Sequence, residues 1–418
     1  MTLSRGVVVM CAAQACAQIG AFSVAAVLPA LISVWALTNT EAGWISGIYY
    51  AAYTLTVPLL SSLTDRIDPK RVYLASVALT AVAFAGFAWV ASDFWSALAF
   101  RALMGAGWAG SYMPGLKALS DLAEGQQQSR AVAAHAAAVG VSGALSFGVA
   151  GAVNAWLGWH WALVPGAVGA TLAFVLVLFG LPSRPVSAAP GPRRALLDFR
   201  PILRNRSALA YSIAYCVHTW EMSALRGWVV TFLTFVAAQG TGAWEPLAPA
   251  TVASVMGLVG VWASVWGNEL AIRFGRRRFI LGTMLTSAAL AAVIGFSAAL
   301  PYAGAAGLVL VYAMLIWSDS SSLTAGSAGS AQPGQRGATL AVHSTLGYAG
   351  GFLGPLALGA TLDHLGGASV IGWGVAFGHV TVALLLGALA FVWLRPADLA
   401  GDRAVSASTA PAAPLHRT

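Results

Sequence analysis

The chain of 418 residues is 58% hydrophobic and 9% charged, with a mean hydropathy of +0.76. Soluble domains carry about 25% charged residues, and 22 bases with 14 acids are too few to coat a water-facing surface for a chain of this length. The formal net charge of +8 points either to nucleic acid or to an acidic membrane, and the position of the bases decides between them.

A helix needs about 20 apolar residues to cross the roughly 30 Å core of a bilayer. Taken in chain order, such stretches fall at 6–36, 43–63, 72–92, 95–116, 131–156, 161–181, 207–237, 250–272, 279–300, 303–330, 338–362 and 370–394, twelve expected spans. The first runs uncharged from Arg5 to Glu41, too long for a signal-peptide core, and is read as a retained helix. Residues 182–206, with Pro185, Pro190, Pro192 and an arginine cluster, form the one interior linker. They separate a unit at 1–181 from one at 207–395, and 396–418 reads as a disordered cytoplasmic tail. Cys11, Cys16 and Cys216 all lie in apolar runs, so neither a disulfide framework nor a thiol metal site is implied.

With both termini cytoplasmic, every base except Arg101 and Arg226 falls in an inner segment. Arg66, Lys70 and Arg71 follow span 2; Lys117 and Arg130 flank the joint between spans 4 and 5; the linker holds Arg184, Arg193, Arg194, Arg200, Arg204 and Arg206. Arg273 and Arg276 to Arg278 follow span 8, Arg336 precedes span 11, and Arg5, Arg395, Arg403 and Arg417 belong to the ends. The outer connections carry Glu41, Asp93, Glu245 and Asp363. This asymmetry predicts a multi-pass protein of the plasma (inner) membrane whose basic face meets anionic inner-leaflet lipid, with no nucleic-acid partner.

The two halves repeat. The spacing from His135 to His343 recurs from Gly143 to Gly351, from Gly151 to Gly359 and from Gly158 to Gly366. Both halves also place a short basic turn after their second span. Duplicated halves around a midplane site are an architecture of alternating-access carriers.

Three motifs carry a resemblance to the major facilitator superfamily over essentially the whole chain. The loop Ser61-x-x-x-Asp65-Arg66-x-Asp68-Pro69-Lys70-Arg71 resembles that family's Gly-x-x-x-Asp-Arg-x-Gly-Arg-Arg signature, with both glycines replaced. Its counterpart Arg273-Phe274-Gly275-Arg276-Arg277 has Ile272 where the aspartate belongs. Arg101-x-x-x-Gly105-x-Gly107-x-Ala109 is similar to the family's span-4 motif. Gly350-x-x-x-Gly354-Pro355 looks like its glycine-proline exchanger motif, which normally sits in span 5, where Val149 occupies the proline position. The resemblance implies an all-α membrane protein of 12 transmembrane helices in two pseudo-symmetric six-helix bundles. It also implies that Asp65 faces a helix N-terminus, that of span 11, and holds the cytoplasmic ends together. Arg66, Arg273 and Arg336 are candidates for the same conformational gate.

Charged side chains inside a span cost about 2.5–3.5 kcal/mol on insertion scales, so those present face a cavity or a partner. Arg101, Glu221, Arg226 and Asp319 are the four clear cases. On span 4, Arg101, Gly105, Trp108 and Tyr112 share one helical face, which suits a planar or anionic organic molecule. Span 1 offers Gln14 and Gln18, and span 2 offers Tyr49 and Tyr53, each at i, i+4. With Arg226 and Trp317 these complete the candidate substrate-binding set; Trp220 is a further ring that could close the cavity. Glu221 and Asp319 are candidates for proton coupling, because burial favours the neutral carboxyl and a nearby arginine the ionised one. His218 shares a face with Glu221 and could relay the proton. His135 and His343, near the cytoplasmic helix ends, read as gate or packing residues.

No phosphate loop, His-x-x-x-His or Cys-x-x-Cys motif occurs, so the chain reads as neither an enzyme nor a cofactor protein. The expected function is secondary active transport of a small organic solute by a monomer, coupled to protons, with export of a drug or metabolite as one form. Uptake or exchange of a small organic anion is the alternative, and a membrane-embedded lipid-modifying enzyme a distant one.

Overall fold

The computed structural model describes residues 4–64, 66–120, 122, 125–183, 200–240, 247–332, 335–399 and 402. Among them there is no strand, and the helices run in this order: α1 (Arg5–Gln18), α2 (Ser23–Trp35), α3 (Asn39–Leu63), α4 (Pro69–Trp89), α5 (Phe94–Ser120), α6 (Gly125–Leu157), α7 (Trp159–Ala162), α8 (Val164–Gly180), α9 (Arg200–Arg204), α10 (Arg206–Gln239), α11 (Pro249–Phe274), α12 (Arg276–Ile294), α13 (Tyr302–Ser318), α14 (Ser320–Gly329), α15 (Arg336–His364) and α16 (Val370–Leu394). A short 3-10 turn, Gly295–Ala299, prolongs α12.

Every expected span falls on one of these helices or on two consecutive ones. Nine stretches of the described residues are long and apolar enough to cross a membrane. The expected spans 43–63, 95–116 and 338–362 are the helices α3, α5 and α15, in which glycine, serine and tyrosine dilute the apolar content. Three expected spans are broken. Between α1 and α2, Gly20 lies against the backbone of Gly166. After Leu163, Pro165 enters at the start of α8, where its missing N–H costs nothing. At Asp319 the run Ser318–Ser322 supplies side chains that compete for backbone hydrogen bonds, as Ser318 Oγ does by donating to the Leu315 carbonyl at 2.8 Å.

Two end faces can be defined. Gly6 sits beside Leu122 and Leu181, Lys70 Nζ donates to the Leu178 and Leu181 carbonyls at 2.9 and 2.5 Å, and Asn205 Nδ2 donates to the Ser330 carbonyl at 2.7 Å. These residues, near both chain ends, mark the terminal face. The distal face holds Asn39, Leu247, Ala298 and Asp363, tied in part by Tyr302 Oη donating to the Leu247 carbonyl.

The helices up to α8 and those from α10 onward meet along two seams, α3 with α15 and α6 with α11, with α2 also against α10. Small residues allow these close approaches, as in membrane helix pairs generally. A Cβ on Gly43 would stand 2.7 Å from the Pro355 carbonyl oxygen, and one on Gly257 would stand 2.7 Å from the Ala144 Cβ. On the other seam Ser254 Oγ accepts from the Gly148 N–H at 2.6 Å and donates to the Ala144 carbonyl at 2.8 Å.

At the distal end the Asp363 carboxylate crosses between the halves. It accepts from the Asn39 N–H and Nδ2 at 3.0 and 2.8 Å, and from the Thr40 N–H and Oγ1 at 2.7 and 2.6 Å. An anion at the start of α3 satisfies free N–H groups and the helix dipole together. Asp363 lies just beyond the expected span. Partial burial pushes its carboxyl up, but the bonds from Thr40 and Asn39 outweigh this and hold it below the usual carboxylate range. Because the latched pKa is depressed, the latch is fully formed above the ordinary Asp value of about 3.9 and is lost as the pH falls through the lower latched value. Asp363→Asn is therefore expected to loosen the distal face at neutral pH. Cysteine cross-linking between the distal ends of α3 and α15 should then slow at least fivefold; an unchanged rate would refute the latch.

The chain after α16 folds back over the terminal face. Tyr211 Oη donates to the Ala397 carbonyl at 2.9 Å, the Arg277 N–H donates to Asp398 Oδ1 at 2.7 Å, and Asp402 pairs with Arg276 at 3.2 Å, both groups 3% exposed. Arg276 also donates to Asn268 Oδ1 and the Ser322 carbonyl, so one guanidinium gathers α11, α14 and the tail. Residues 396–399 and Asp402, which fall within the stretch 396–418 read from the sequence as a tail, are thus in contact with the helices. The structure describes nothing of Asp65, Arg184, Arg193, Arg194, Glu245, Arg403 or Arg417, nor of most of the linker, so expectations for these lie outside the described residues. Removing one partner of a buried pair costs about 3–5 kcal/mol. Asp402→Ala should accordingly lower the melting temperature of the detergent-solubilised protein by several degrees, whereas no shift would show the pair to be dispensable.

Candidate functional site

Two of the membrane-embedded charges meet between the halves. Arg101 comes from α5 and Arg226 from α10, and both line a cavity of about 10 Å³ together with Phe22, Ala25, Ser46, Tyr50, Ser223, Gly227 and Pro355. That is the room of a single water. No carboxylate belongs to this lining. The guanidiniums rest on ring faces: Arg101 is 4.2 Å from the Tyr49 centroid, and Arg226 is 4.5 Å from Phe22 and 4.9 Å from Trp317. Such contacts offset part of the desolvation cost, about 2 kcal/mol or more when dry. Arg101 is 3% exposed, reaches the Ala21 carbonyl at only 3.5 Å, and leaves its Nε without a partner. The hydroxyls of Ser46 and Ser223 are likewise buried and unpartnered.

Below the cavity, toward the terminal face, lies an aromatic layer. Tyr53 stands 4.3 Å from both Trp108 and Tyr348, Trp108 stacks on Tyr49 at 5.1 Å, and Tyr50 lies 6.2 Å from Tyr348. Tyr112 continues it, 6.3 Å from Trp108 and 5.7 Å from His135. The stripe of Arg101, Trp108 and Tyr112 therefore meets Tyr49 and Tyr53 of α3. Tyr50, Tyr348, Phe22, Ser46 and Ser223 were not foreseen. Their signal was present as helical recurrence, with Ser46, Tyr50 and Tyr53 at i, i+4, i+7 on α3 and Ser223 three before Arg226 on α10.

The candidate coupling groups lie elsewhere, inside the second half. His218 Nδ1 is 2.9 Å from Asp319 Oδ1, both nearly fully buried. Glu221 faces Tyr312 and Ser287. Tyr215 stacks on His343 at 4.0 Å and on His218 at 5.6 Å, and Thr324 Oγ1 lies 3.3 Å from His343 Nε2. None of His218, Glu221 and Asp319 lines the arginine cavity. Trp317 joins the two regions, carrying Arg226 on its ring two residues before the helix break at Asp319.

The remaining candidates disperse. Gln14 and Gln18 are buried in α1 away from the cavity lining, and both amide atoms of Gln14 are unpartnered. Trp220 Nε1 donates to His379 Nε2 at 2.9 Å, so it packs on α16 rather than closing the cavity. Arg66 and Arg336 are exposed at the terminal face, and Arg273 pairs with Glu269 at 3.5 Å within one exposed helix turn. A pair of that kind contributes about 1 kcal/mol at most.

Helical halves joined along antiparallel seams, with charges converging between them, define a polytopic membrane protein. The family model described as Major Facilitator Superfamily matches residues 10–318, and the chain belongs to that superfamily. Protein spinster homolog 1 of Homo sapiens is 27% identical over 271 residues, which cover 61% of this chain and 51% of the relative. The chain thus spans about half the length of such curated relatives. The Niacin transporter NiaP of Acinetobacter baylyi is 26% identical over 154 residues, covering 37% of this chain and 35% of that protein. Among solved structures, a bacterial homolog of the human lysosomal transporter Spinster, in an inward-facing and occupied conformation, superposes with a TM-score of 0.73 at 15% identity, covering 93% of this chain and 96% of that one. At that identity the likeness concerns the fold.

Proposed function

We propose that this protein is a secondary transporter that moves a small organic anion across the plasma (inner) membrane by alternating access, coupled to protons. The observation that carries the reading is the pair Arg101 and Arg226, one from each half, lining a single cavity that no carboxylate neutralises. Low dielectric makes unpaired cations costly, so a site that keeps two of them is suited to an anion. The similarity to a niacin transporter agrees with this, since niacin is a planar carboxylate. The rings of Tyr49, Tyr53, Trp108, Tyr112 and Trp317 supply flat apolar contacts for the organic part of such a solute. Family membership also favours a carrier over a lipid-modifying enzyme.

In this reading the terminal face is cytoplasmic and its bases meet anionic lipid. The latch at Asp363 closes the outer side, and Asp65, with Arg66, Arg273 and Arg336, belongs to the opposite gate. Glu221, Asp319 and His218 bind and release the proton. Flux assays in proteoliposomes, with labelled aromatic and aliphatic carboxylates under an imposed pH gradient, test the proposal. Gradient-dependent movement of at least one of them is expected, and no movement of any under either gradient direction would overturn it.

A further inference from the structure

The head group of the solute can be argued from the donors around the cavity. Resting on the anion-carrier reading above, we infer that the arginine cavity takes the carboxylate of a monocarboxylate, and that Ser46 and Ser223 set its selectivity for that group.

Each half presents one guanidinium and one hydroxyl. Arg101 Nε, Ser46 Oγ and Ser223 Oγ are buried without partners, and the Arg226 guanidinium, seated between two rings, borders the same space. The hydroxyls are 5% and 1% exposed, and beside them the cavity has room for one water at most. A buried donor left unpaired carries a desolvation penalty, and side-chain hydroxyls normally find an acceptor. An ionised carboxylate offers two oxygens with about four acceptor positions and no donor, which matches a set built of donors. A carboxamide of the same shape has only one acceptor oxygen, and its NH₂ group finds no acceptor on a guanidinium. A sulfonate or phosphate brings three or four oxygens on a tetrahedral centre, a bulkier head group than a flat carboxylate. Planarity matters too, because a guanidinium fork and a carboxylate are matched in plane. Because the donors come from both halves, the head group bridges them and is held fully only when the halves are together.

The experiment uses the full chain in proteoliposomes and in detergent, with benzoate, benzamide, benzenesulfonate and inorganic phosphate as probes. Counterflow of labelled benzoate should be inhibited by unlabelled benzoate at least tenfold more strongly than by any of the other three. Only benzoate should raise the melting temperature. Ser46→Ala and Ser223→Ala should each weaken benzoate about fivefold and narrow the benzoate-to-sulfonate ratio, at unchanged melting temperature of the free protein. Stronger inhibition by sulfonate or phosphate, or serine variants with wild-type benzoate affinity, would overturn the carboxylate assignment while leaving the anion carrier standing, provided Arg101→Gln still abolishes flux. If none of the four probes binds or moves and Arg101→Gln changes nothing, the inference and the reading beneath it fall together.

Discussion

Arg101→Gln is expected to reduce anion transport by about 100-fold or more, the largest effect of any single substitution in the cavity. A hydrogen bond to a charged group contributes about 1.5–3 kcal/mol, and an anion left short of its counter-charge in a buried site costs about 3–5 kcal/mol. At 1.4 kcal/mol per factor of ten, even the lower figures jointly exceed two orders of magnitude. The loss should not arise from misfolding. Among the described residues Arg101 has no carboxylate partner to orphan, and its main contacts are a ring face and a carbonyl at 3.5 Å. Melting of the variant should therefore match or exceed that of the native protein. Arg101→Lys should rescue little, because an ammonium offers neither the planar face that lies on Tyr49 nor an Nε donor. Initial rates of carboxylate uptake in proteoliposomes measure this, and rates within twofold of the native protein in both variants would remove Arg101 from the site.

The second large effect concerns coupling. Glu221→Gln and Asp319→Asn are each expected to abolish accumulation against a gradient while sparing exchange. A transporter that moves one proton with each anion concentrates its solute about tenfold for each unit of imposed pH difference; with a carboxyl that cannot titrate, the ratio falls to about one. Exchange needs only the solute site, from which both residues are absent. The two regions are joined through Trp317. Arg226 rests on Trp317, and the backbone breaks two residues later at Asp319, where His218 meets the carboxylate at 2.9 Å. A solute that draws Arg226 off the ring would shift the end of α13 and with it the Asp319 pairing. Accumulation ratios and counterflow measured on the same vesicles separate the two functions, and native accumulation in both variants would refute the coupling assignment.

Most of the helices were legible in the residue pattern, because apolar runs of about 20 residues and charged joints leave little choice. The breaks were less so. Nothing in the hydropathy of 6–36 marks the turn near Gly20, which follows from contact with Gly166 in another helix. Of the site, the face carrying Arg101, Trp108 and Tyr112 could be drawn from spacing alone. That Arg226 meets Arg101 could not, since it depends on which helix of the second half faces α5. The displacement of Glu221 and Asp319 from the cavity has the same origin: a residue on a helix has a direction in sequence, but its partner is chosen by packing. The acid missing beside the span-8 loop, where Ile272 stands, was visible as an absence. That Arg276 of the same loop pairs with Asp402, more than 100 residues later, was not.

The folded-back segment after α16 also has a practical consequence. Membrane proteins are commonly handled by their C-termini, through affinity tags, fluorescent fusions or trimming of apparently idle tails. Here a fusion joined beyond Asp402 keeps Asp398 and Asp402 with the chain, whereas one joined directly after Arg395 strips Arg276 of its carboxylate and Arg277 of its cap. Poor expression of such a trimmed protein would report a damaged bundle, and purification handles belong beyond Asp402.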